Sequence, residues 1–448
     1  MILIGNGKVL TRGKENKLIE NGCVAVNRRL ITEVGDTEKL CEKYTDAEFI
    51  DAHGGVIMPG LINTHSHIYS AFARGLAIQG HKPRNFLEIL NGLWWLVDRN
   101  LTTEDVYWSA MATYLDCIKN GCTTFFDHHA SYGRVPGSLF AIADAAEELG
   151  VRTSLCYEVS DRDGEDKMRE AVAENAEFIK HTKADNTDML KAMMGLHASF
   201  TLSDKTLERC RKRTPDGIGF HIHVAEGMDD VYDSLRKYGK RVINRLHTHG
   251  ILGEKTIAGH CIHVDGLELD IINETNTMVV HNPESNMGNA VGIPPCMEMM
   301  KRGILVGLGT DGYTNDMFES QKAANVIHKH ELHDPNAAWG EVPKMMYQNN
   351  AEIAMRSFDS KLGVLEEGAA ADIIITDYDP LTPMTAENCE SHILFGMSGR
   401  SVVTTMINGK LKMRDRELVG IDGEWIMIKC REHAAALAKR VHSWEAVR

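Results

Sequence analysis

The sequence predicts an α/β protein in which a (β/α)8 barrel is joined to a small β-sandwich built from both chain ends. Three observations predict this arrangement. Similar β segments flank a different middle, short apolar runs alternate with helical patterns in that middle, and polar clusters follow those runs. The 448 residues are enough for a barrel, which typically needs about 250, and for a smaller accessory unit.

The two ends of the chain have the same short, alternating β character. Residues 1–57 contain segments such as Ile2–Ile4, and residues 361–448 resume the pattern with Ala371–Thr376. Because chain termini usually lie close together, both ends can contribute to one unit at little cost. We therefore expect a β-sandwich assembled from both ends, with a polar helix from Trp425 to Arg448 on its outside.

The middle of the chain, residues 58–360, carries helical patterns in most of the gaps between apolar runs, for example Ser138–Leu149, Lys167–Ile179 and Ser203–Arg213. Apolar strands that alternate with helices indicate a parallel sheet buried on both faces, and eight such units match a closed barrel. The eight apolar runs are Val56–Asn63, Cys122–Phe126, Arg152–Tyr157, Met193–Leu196, Ile218–Ile222, Thr256–Ala258, Thr277–Val280 and Ile304–Leu308.

Histidines and acidic residues follow these runs. Barrel enzymes carry their chemistry at the carboxyl ends of the strands, because loops there vary without disturbing the core. If these residues served only to end the strands, we would expect Ser, Asn, Asp and Gly at these positions and not repeated histidines. The clusters are His65 and His67; Asp127, His128 and His129; Glu158 and Asp161; His197; His223 and Glu226; His260 and His263; His281 and Asn282; and Asp311. This distribution predicts an active site at that face.

Bulk composition excludes several classes of partner. The formal net charge is −14, from 49 Lys plus Arg against 63 Asp plus Glu, and no basic stripe interrupts it, so nucleic acid is not expected to bind. No apolar run approaches the roughly 18 residues of a membrane span.

Met1–Gly7 lacks the features of a signal peptide, and the ten cysteines are scattered without C-x-x-C spacing. We expect reduced thiols in a cytoplasmic protein.

The segment His65-Ser66-His67 predicts two metal ligands. Side chains alternate along an extended segment, so both imidazoles point to the same side and can reach one ion at the roughly 2.0–2.1 Å of a Zn–N bond. The pair follows Pro59-Gly60, which bends the chain at the entry of the predicted barrel. H-x-H alone is weak, but histidines and an aspartate at matching strand ends favour ligation.

The segment His221–Glu226 predicts a third imidazole and a proton carrier. His221 and His223 share one face of a strand, and His223 lies nearer the strand end, where the ion is expected. Glu226 follows in the loop beside a ligand. A carboxylate in that place is suited to general acid–base catalysis.

Asp311 ends the eighth predicted strand and supplies a hard oxygen ligand that offsets part of the cation's charge. Gly307-Leu308-Gly309-Thr310-Asp311-Gly312 also spells G-x-G-x-x-G. As a dinucleotide motif it would open a βαβ unit instead of ending eight of them, and Asp311 would repel the pyrophosphate. We therefore interpret Asp311 as the fourth ligand of one divalent metal ion.

Five motifs at the strand ends together resemble a known family. They are Met58–His67, His223–Glu226, Gly259–His263, His281–Asn286 and Gly309–Gly312. This set resembles the amidohydrolase superfamily, in the branch that holds cytosine, guanine and adenosine-type deaminases and triazine hydrolases, whose fold is a TIM-like barrel. The closest resemblance is to the SsnA-type aminohydrolases. That resemblance is carried by Leu93–Leu96, Asp127–Ser131 and Tyr157–Gly164.

The resemblance assigns roles to single residues. The ligands that it implies are His65, His67, His223 and Asp311. It further implies Glu226 as the proton shuttle, His260 as the group that polarises the substrate, His197 as a substrate contact, and a homodimer as the assembly. Lys191 lies at the start of the fourth strand and not at its end, which leaves no lysine to bridge two metals and indicates a single ion.

The predicted reaction is hydrolytic deamination of a purine-like or related nitrogen heterocycle by metal-activated water, with release of ammonia. Asp311 and Glu226 accept the proton of the water, and Glu226 protonates the departing nitrogen. Zn²⁺ is the expected ion. Because four protein ligands plus water make five-coordination, Fe²⁺ is a second candidate. The alternatives are a hydrolase that opens a cyclic amide and a non-catalytic metal-binding scaffold, and the presence of Glu226 and His260 argues against the scaffold.

Substrate contacts are predicted from side-chain chemistry. Trp95, with Trp94 before it, is suited to stack on a planar heterocycle, and Arg162 is suited to meet a carbonyl or carboxylate group. His128 and His129 are adjacent, so at most one of them is expected to point into the site.

Overall fold

The computed structural model of the protein describes residues 1–78 and 80–445. The amino-terminal strands are β1 (Ile2–Leu10), β2 (Leu18–Asn27), β3 (Leu30–Asp36), β4 (Glu48–Asp51) and β5 (Val56–Pro59). The middle strands are β6 (Leu61–Ser66), β7 (Cys122–His129), β8 (Arg152–Tyr157), β9 (Leu190–Ala192), β10 (Met194–Ala198), β11 (Phe220–Val224), β12 (Ile257–His260), β13 (Met278–His281) and β14 (Val306–Leu308). The carboxyl-terminal strands are β15 (Ile373–Thr376), β16 (Val402–Ile407), β17 (Lys410–Arg414) and β18 (Glu417–Leu418).

Helices fill the connections between the strands. The α-helices are α1 (Thr37–Lys43), α2 (Phe86–Ile89), α3 (Trp95–Asp98), α4 (Thr103–Lys119), α5 (Ser138–Leu149), α6 (Glu165–Thr182), α7 (Asp204–Arg213), α8 (Met228–Tyr238), α9 (Val242–Thr248), α10 (Gly266–Glu274), α11 (Pro283–Gly288), α12 (Cys296–Lys301), α13 (Met317–Leu332), α14 (Glu341–Pro343), α15 (Asn350–Met355), α16 (Cys389–Gly396) and α17 (Gly423–Glu445). Among the described residues, none of these helices is both long and apolar enough to cross a bilayer.

The middle strands form two parallel sheets, which makes the fold mixed α/β as predicted. One sheet has the order β6-β7-β8-β9 and the other the order β10-β11-β12-β13-β14. Isolated parallel bridges join the sheets on both sides, from Ser66 to Asp311 and from Val159 to Leu196. Strands buried on both faces read as continuous apolar runs, which is why the eight predicted runs overlap eight of the nine middle strands. The short strand β9 (Leu190–Ala192) was not predicted, because only part of its surface is buried.

Both chain ends contribute to one nine-stranded sheet. β15 pairs antiparallel with β5, so that Ile373 lies opposite Pro59, and β1 pairs with β2, β4 and β5. The apolar side chains between these strands form a core of their own. The two ends therefore meet in a common sheet, and the β-sandwich domain expected from them stays a prediction.

One predicted strand is two strands. The run Val56–Asn63 is interrupted at Gly60, so that β5 joins the nine-stranded sheet and β6 joins the parallel one. A Cβ atom at Gly60 would lie 2.3 Å from the Thr123 side chain. The chain therefore passes from one sheet to the other at the only residue type that fits there.

The helix predictions follow local signals that the structure retains. α5 has the predicted bounds, and Gly150 ends it with a left-handed φ of 70°. Ser203 is the N-cap of α7, where its side chain accepts a hydrogen bond from the Thr206 amide. The helix predicted from Trp425 to Arg448 corresponds to α17. Residues 446–448 of that prediction lie outside the described residues.

A buried ion pair connects the two regions of the fold. The Arg152 guanidinium, at the start of β8, contacts the carboxylate of Asp372, just before β15, and Asp372 also accepts a hydrogen bond from the Asn408 amide. Replacing Asp372 with alanine leaves the guanidinium buried and uncompensated, so we expect the free energy of unfolding to fall by about 3–5 kcal/mol. Urea or thermal denaturation measures the loss.

Asp270 provides the matched control for this prediction. It pairs with Arg302 at an exposed site, and Asp270→Ala is expected to cost about 0–1 kcal/mol. If Asp372→Ala is no more destabilising than Asp270→Ala, the ion pair does not hold the two regions together.

Candidate metal centre and active site

Four side chains from three strand ends meet at the carboxyl face of the parallel sheets. The Asp311 Oδ1 atom lies 3.0 Å from the Nε2 atoms of both His65 and His67. The His67 and His223 Nε2 atoms lie 3.1 Å apart. Ligands around one tetrahedral Zn²⁺ at 2.0–2.1 Å are separated by about 3.3 Å. The spacing of the four predicted ligands therefore fits a single ion.

The hydrogen bonds of these rings turn the Nε2 atoms of His67 and His223 toward each other. The Nδ1 atoms of His67 and His223 lie 2.6 Å and 3.0 Å from the carbonyl oxygens of His128 and His197. Because a carbonyl only accepts, each Nδ1 carries the ring proton, and the two Nε2 lone pairs face each other. Burial lowers the pKa of His67, but the nearby Asp311 carboxylate outweighs it and raises that pKa to about 9, because its negative charge favours a positive charge on or beside the ring. Imidazoles that donate to carbonyls in this way are typical metal ligands.

His221 supports the centre without entering it. Its Nε2 atom lies 2.8 Å from the Nδ1 atom of His65, so it orients that ring from behind. His128 is also turned inward and contacts the carbonyl oxygens of Leu196 and His221, whereas His129 points away to Ser131. The alternation expected for this adjacent pair is present.

Asp311 is oriented by Ser285, a residue the sequence analysis did not single out. The Ser285 hydroxyl donates to Asp311 Oδ2 over 2.5 Å and accepts from the Asn289 amide at 3.1 Å. Removing such a support typically weakens a metal site by about 10- to 100-fold. We therefore expect Ser285→Ala to raise the dissociation constant for Zn²⁺ by that factor, as measured by competition with a chromophoric chelator.

The exposed Ser443, on α17, is the control for this substitution. Ser443→Ala is expected to bind Zn²⁺ as the unaltered protein does. Equal affinities of Ser285→Ala and Ser443→Ala would mean that the Ser285 hydroxyl does not orient the Asp311 carboxylate for binding.

Glu226 lies beside the four converging side chains in a nearly closed environment. Burial raises its pKa to about 7, and the nearby Asp311 carboxylate acts in the same direction. The Asn289 amide donates to Oε1 over 3.4 Å, and Oε2 lies 3.5 Å from His260 Nε2. A carboxyl group with a pKa near neutrality is able both to take and to give a proton at physiological pH.

The two ring nitrogens of His260 differ in their surroundings: Nδ1 is hydrogen-bonded, whereas Nε2, which faces Glu226 and Asp311, is not. Nδ1 lies 2.7 Å from the Asn286 Oδ1 atom. Nε2 is buried, has no hydrogen-bond partner among the described residues, and lies 3.8 Å from Asp311 Oδ1. An unpartnered buried nitrogen at this point is available to a water molecule or a substrate.

The backbone around the site is strained. Positive φ angles occur at Ala225 (46°), His260 (68°), Cys261 (50°) and Asp311 (53°). A left-handed conformation is unfavourable for such residues and persists where the surrounding structure enforces it, often at active sites. Here the strain directs three of the functional side chains, those of Glu226, His260 and Asp311, toward one point.

A narrow cavity of about 40 Å³ opens onto this point. Its walls combine the metal-centre side chains with a cluster of aromatic and apolar ones. The lining residues are His67, Tyr69, Phe86, Leu90, Trp94, Trp95, Glu158, His197, His223, Glu226, Asn289, Asp311 and Gly312. Two predicted substrate contacts, Trp95 and His197, are among them. Their contact with a substrate stays a prediction.

Arg162, the other predicted substrate contact, does not line this cavity. Its guanidinium pairs with the buried carboxylate of Asp98, lies 3.8 Å from Glu158 Oε1, and lies over the Trp95 ring at 5.1 Å from the centroid. Arg162 therefore lies behind Glu158 and Trp95, with its charge already compensated. Direct contact of Arg162 with a substrate stays a prediction.

Glu158 is the cavity residue whose part the sequence analysis did not anticipate. It was one of the polar residues at the strand ends, but nothing in the sequence separated it from Asp161 beside it. His197, His128 and Arg162 offset the effect of burial and hold its pKa at about 2, so Glu158 is an anion in the cavity wall.

A second, wider cavity lies on the other side of Trp94. It has a volume of about 620 Å³ and shares Trp94, Asn289 and Gly312 with the inner cavity. Its lining includes the charged side chains of Arg74 and Glu284. The Trp94 indole thus lies between an inner chamber, lined by aromatic side chains and the candidate metal ligands, and a wider outer one.

The chain is similar in both sequence and fold to proteins of known activity. The model of the amidohydrolase family matches residues 56–412. A 5'-deoxyadenosine deaminase of Methanosarcina mazei is 32% identical over 99% of both chains. A 5-methylthioadenosine/S-adenosylhomocysteine deaminase of Thermococcus sibiricus is 35% identical over 92% of this chain and 94% of that protein. A crystal structure of a Xanthomonas campestris adenosine deaminase with bound zinc is 23% identical, with a TM-score of 0.87 over 98% of each chain.

Proposed function

The chain belongs to the amidohydrolase family, and from that premise we propose that it is a zinc-dependent aminohydrolase that deaminates an adenosine-type substrate. It is a hydrolase that acts on carbon–nitrogen bonds. The observation that carries the proposal is the convergence of the three imidazoles and the Asp311 carboxylate at 3.0–3.1 Å, with Glu226 and His260 beside them.

The metal is held in this proposal by His65, His67, His223 and Asp311. When bound, a divalent cation lowers the pKa of a water molecule toward about 7 and so makes a nucleophile available at neutral pH. Two backbone carbonyls and the Ser285 hydroxyl fix the orientation of the ligands.

Glu226 moves the protons. Its carboxylate accepts a proton from the water that attacks the amino-bearing ring carbon, and it passes a proton to the departing nitrogen, which leaves as ammonia. The pKa of about 7 suits both directions of transfer. Asn289 keeps Oε1 occupied, which leaves Oε2 for the reacting groups.

His260 holds the reacting atoms in place. With its proton on Nδ1 and donated to Asn286, its Nε2 lone pair accepts a hydrogen bond from the attacking water. With a proton on Nε2, it donates to the ring nitrogen and polarises the substrate, the role implied by the sequence resemblance. Asp311 lies within reach of the same atoms, 3.8 Å from His260 Nε2.

The side chains that line the two cavities suit the parts of a nucleoside. Trp95, Tyr69 and Phe86 offer aromatic faces to a planar base in the inner chamber. The outer chamber beyond Trp94 has room for a sugar with a 5' substituent. Relatives of similar length carry the names 5'-deoxyadenosine deaminase and 5-methylthioadenosine/S-adenosylhomocysteine deaminase.

Further features belong to the same proposal. Closure of the parallel strands into a (β/α)8 barrel at residues 58–360 is supported by the bridges on both sides of the two sheets. A β-sandwich from residues 1–57 and 361–448 is supported by the shared nine-stranded sheet. Zinc in preference to Fe²⁺ is supported by the zinc-bound structural relative. A cytoplasmic location is supported by ten free cysteines. A homodimer is proposed on the sequence resemblance.

Ammonia release from a panel of substrates tests the function. The panel contains 5'-deoxyadenosine, methylthioadenosine, S-adenosylhomocysteine, adenosine, guanine and a hydantoin, each assayed with and without chelator. We expect chelator-sensitive release of ammonia from at least one adenosine derivative. An acidic product from the hydantoin without ammonia would identify a ring-opening hydrolase instead. Inertness toward the whole panel in zinc-loaded protein would favour a non-catalytic scaffold.

A further inference from the structure

A second group of metal-ligating side chains lies behind the active site. It consists of His281 at the end of β13, Cys296 at the start of α12 and His328 within α13, and we call it the Cys296 cluster. One ligand atom from each residue lies within 4.8 Å of the other two. All three side chains are buried, and none of them lines the active-site cavity.

The atoms of this cluster face one another without hydrogen bonding. The His281 and His328 Nε2 atoms have no hydrogen-bond partner among the described residues, and the two ring centroids are 5.0 Å apart. Buried polar atoms without partners are rare and call for a missing water or ion. A tetrahedral cation at 2.0–2.1 Å from nitrogen and about 2.3 Å from sulfur holds its ligand atoms about 3.3–3.6 Å apart, so the three atoms, which lie within 4.8 Å of one another, need to approach by at most about 1.5 Å to bind it.

From this geometry we propose that His281, Cys296 and His328 bind a second cation, a thiophilic divalent ion of the Zn²⁺ class, at a site separate from the catalytic one. A thiolate with two imidazoles is a ligand set that zinc prefers over magnesium or calcium. Burial lowers the pKa of both histidines, so their rings are neutral, as ligands must be. Burial also raises the pKa of the Cys296 thiol, so the cation displaces the thiol proton when it binds.

The hydrogen bonds of Asn286 connect this cluster to the active site. The Asn286 amide lies between two rings, with Oδ1 2.7 Å from His260 Nδ1 and Nδ2 3.4 Å from His281 Nδ1. A cation on His281 Nε2 requires the ring proton on Nδ1, which then donates to Asn286 Oδ1 after a half-turn of the amide. The amide nitrogen in turn donates to His260 Nδ1, which leaves the His260 proton on Nε2, toward the cavity.

An occupied Cys296 cluster therefore selects the form of His260 that donates a hydrogen bond into the active site. This consequence rests on the proposed function, because it matters only if His260 contacts the substrate. The cation site itself does not depend on that function, and it has a spectroscopic signature of its own.

Cobalt titration of the full-length, metal-free protein tests the site. Co²⁺ bound to a thiolate gives a charge-transfer band in the near ultraviolet, and the four proposed catalytic ligands include no cysteine. We expect two cobalt ions per chain in the unaltered protein, with the band present. In Cys296→Ser we expect one cobalt ion per chain and no band. One ion per chain without the band in the unaltered protein would overturn the proposal.

Controls separate the Cys296 cluster from other thiols and from misfolding. Cys41→Ser, at a half-buried cysteine on α1, is expected to keep both cobalt ions and the band. A band that survives in Cys296→Ser would overturn the assignment.

X-ray absorption of the unaltered protein with zinc bound needs no variant, and it is expected to detect sulfur at about 2.3 Å. The absence of a sulfur neighbour would also overturn it. Inactivity with all substrates, with the band present, would contradict only the proposed function.

Discussion

Replacing Glu226 with glutamine is expected to lower kcat by about 10²- to 10⁴-fold while the metal stays bound, because a proton carrier contributes that much to catalysis. Glutamine keeps the size of the side chain and one oxygen for the hydrogen bond from Asn289. It cannot accept a proton from the water or return one to the leaving nitrogen. The loss is therefore expected in kcat, with KM changed little.

Steady-state kinetics together with metal analysis by mass spectrometry checks this expectation. Glu331, an exposed residue of α13, offers the matched substitution Glu331→Gln, which is expected to leave kcat unchanged. Turnover of Glu226→Gln at the wild-type rate would remove Glu226 from the mechanism. Loss of metal from Glu226→Gln would mean that the side chain takes part in binding the ion.

The largest effect is expected at Asp311, because its carboxylate contacts two imidazoles of the metal centre. Asp311→Asn is expected to reduce both the metal content and kcat, the latter by about 10³-fold or more, since the ion contributes several kcal/mol to the reaction. Asparagine tolerates the left-handed backbone that Asp311 adopts at φ 53°, so the fold is expected to survive. Circular dichroism and the metal content of the purified variant accompany the kinetic assay.

Removal of the metal from unaltered protein provides the complementary measurement. Dialysis against a chelator is expected to abolish turnover, and addition of Zn²⁺ to restore it. The exposed Asp270 gives the control substitution Asp270→Ala, which is expected to retain metal and activity. Full activity of Asp311→Asn, or of the metal-free protein, would show that the reaction does not depend on the metal ion.

The convergence of His65, His67, His223 and Asp311 was predictable from the sequence because its signals are local. Alternation along one strand places His65 and His67 together, and the end of a buried apolar run fixes the height of His223 and Asp311 in the sheet. The structure adds the distances and the carbonyl contacts of the rings, which no local pattern encodes.

The cavity wall was less accessible, because its residues depend on distant partners. Arg162 forms an ion pair with Asp98, which lies 64 positions earlier in the chain. No pattern of neighbouring residues therefore predicted this pairing. Ser285 and Asn289 reach Asp311 and Glu226 only through the turn of α11. Pro59-Gly60 predicted a bend, but the close approach of Gly60 to Thr123 and the passage from one sheet to the other at that residue depend on a partner distant in the chain.

The pairing of β5 with β15 also bears on how the protein is made. Pro59 leaves the ribosome long before Ile373, its partner across the sheet. At about 5–20 residues per second, the nascent chain exposes this strand edge for tens of seconds. Open edges of this kind invite association between chains, so the soluble yield is expected to rise when a chaperone that shelters nascent chains is co-expressed.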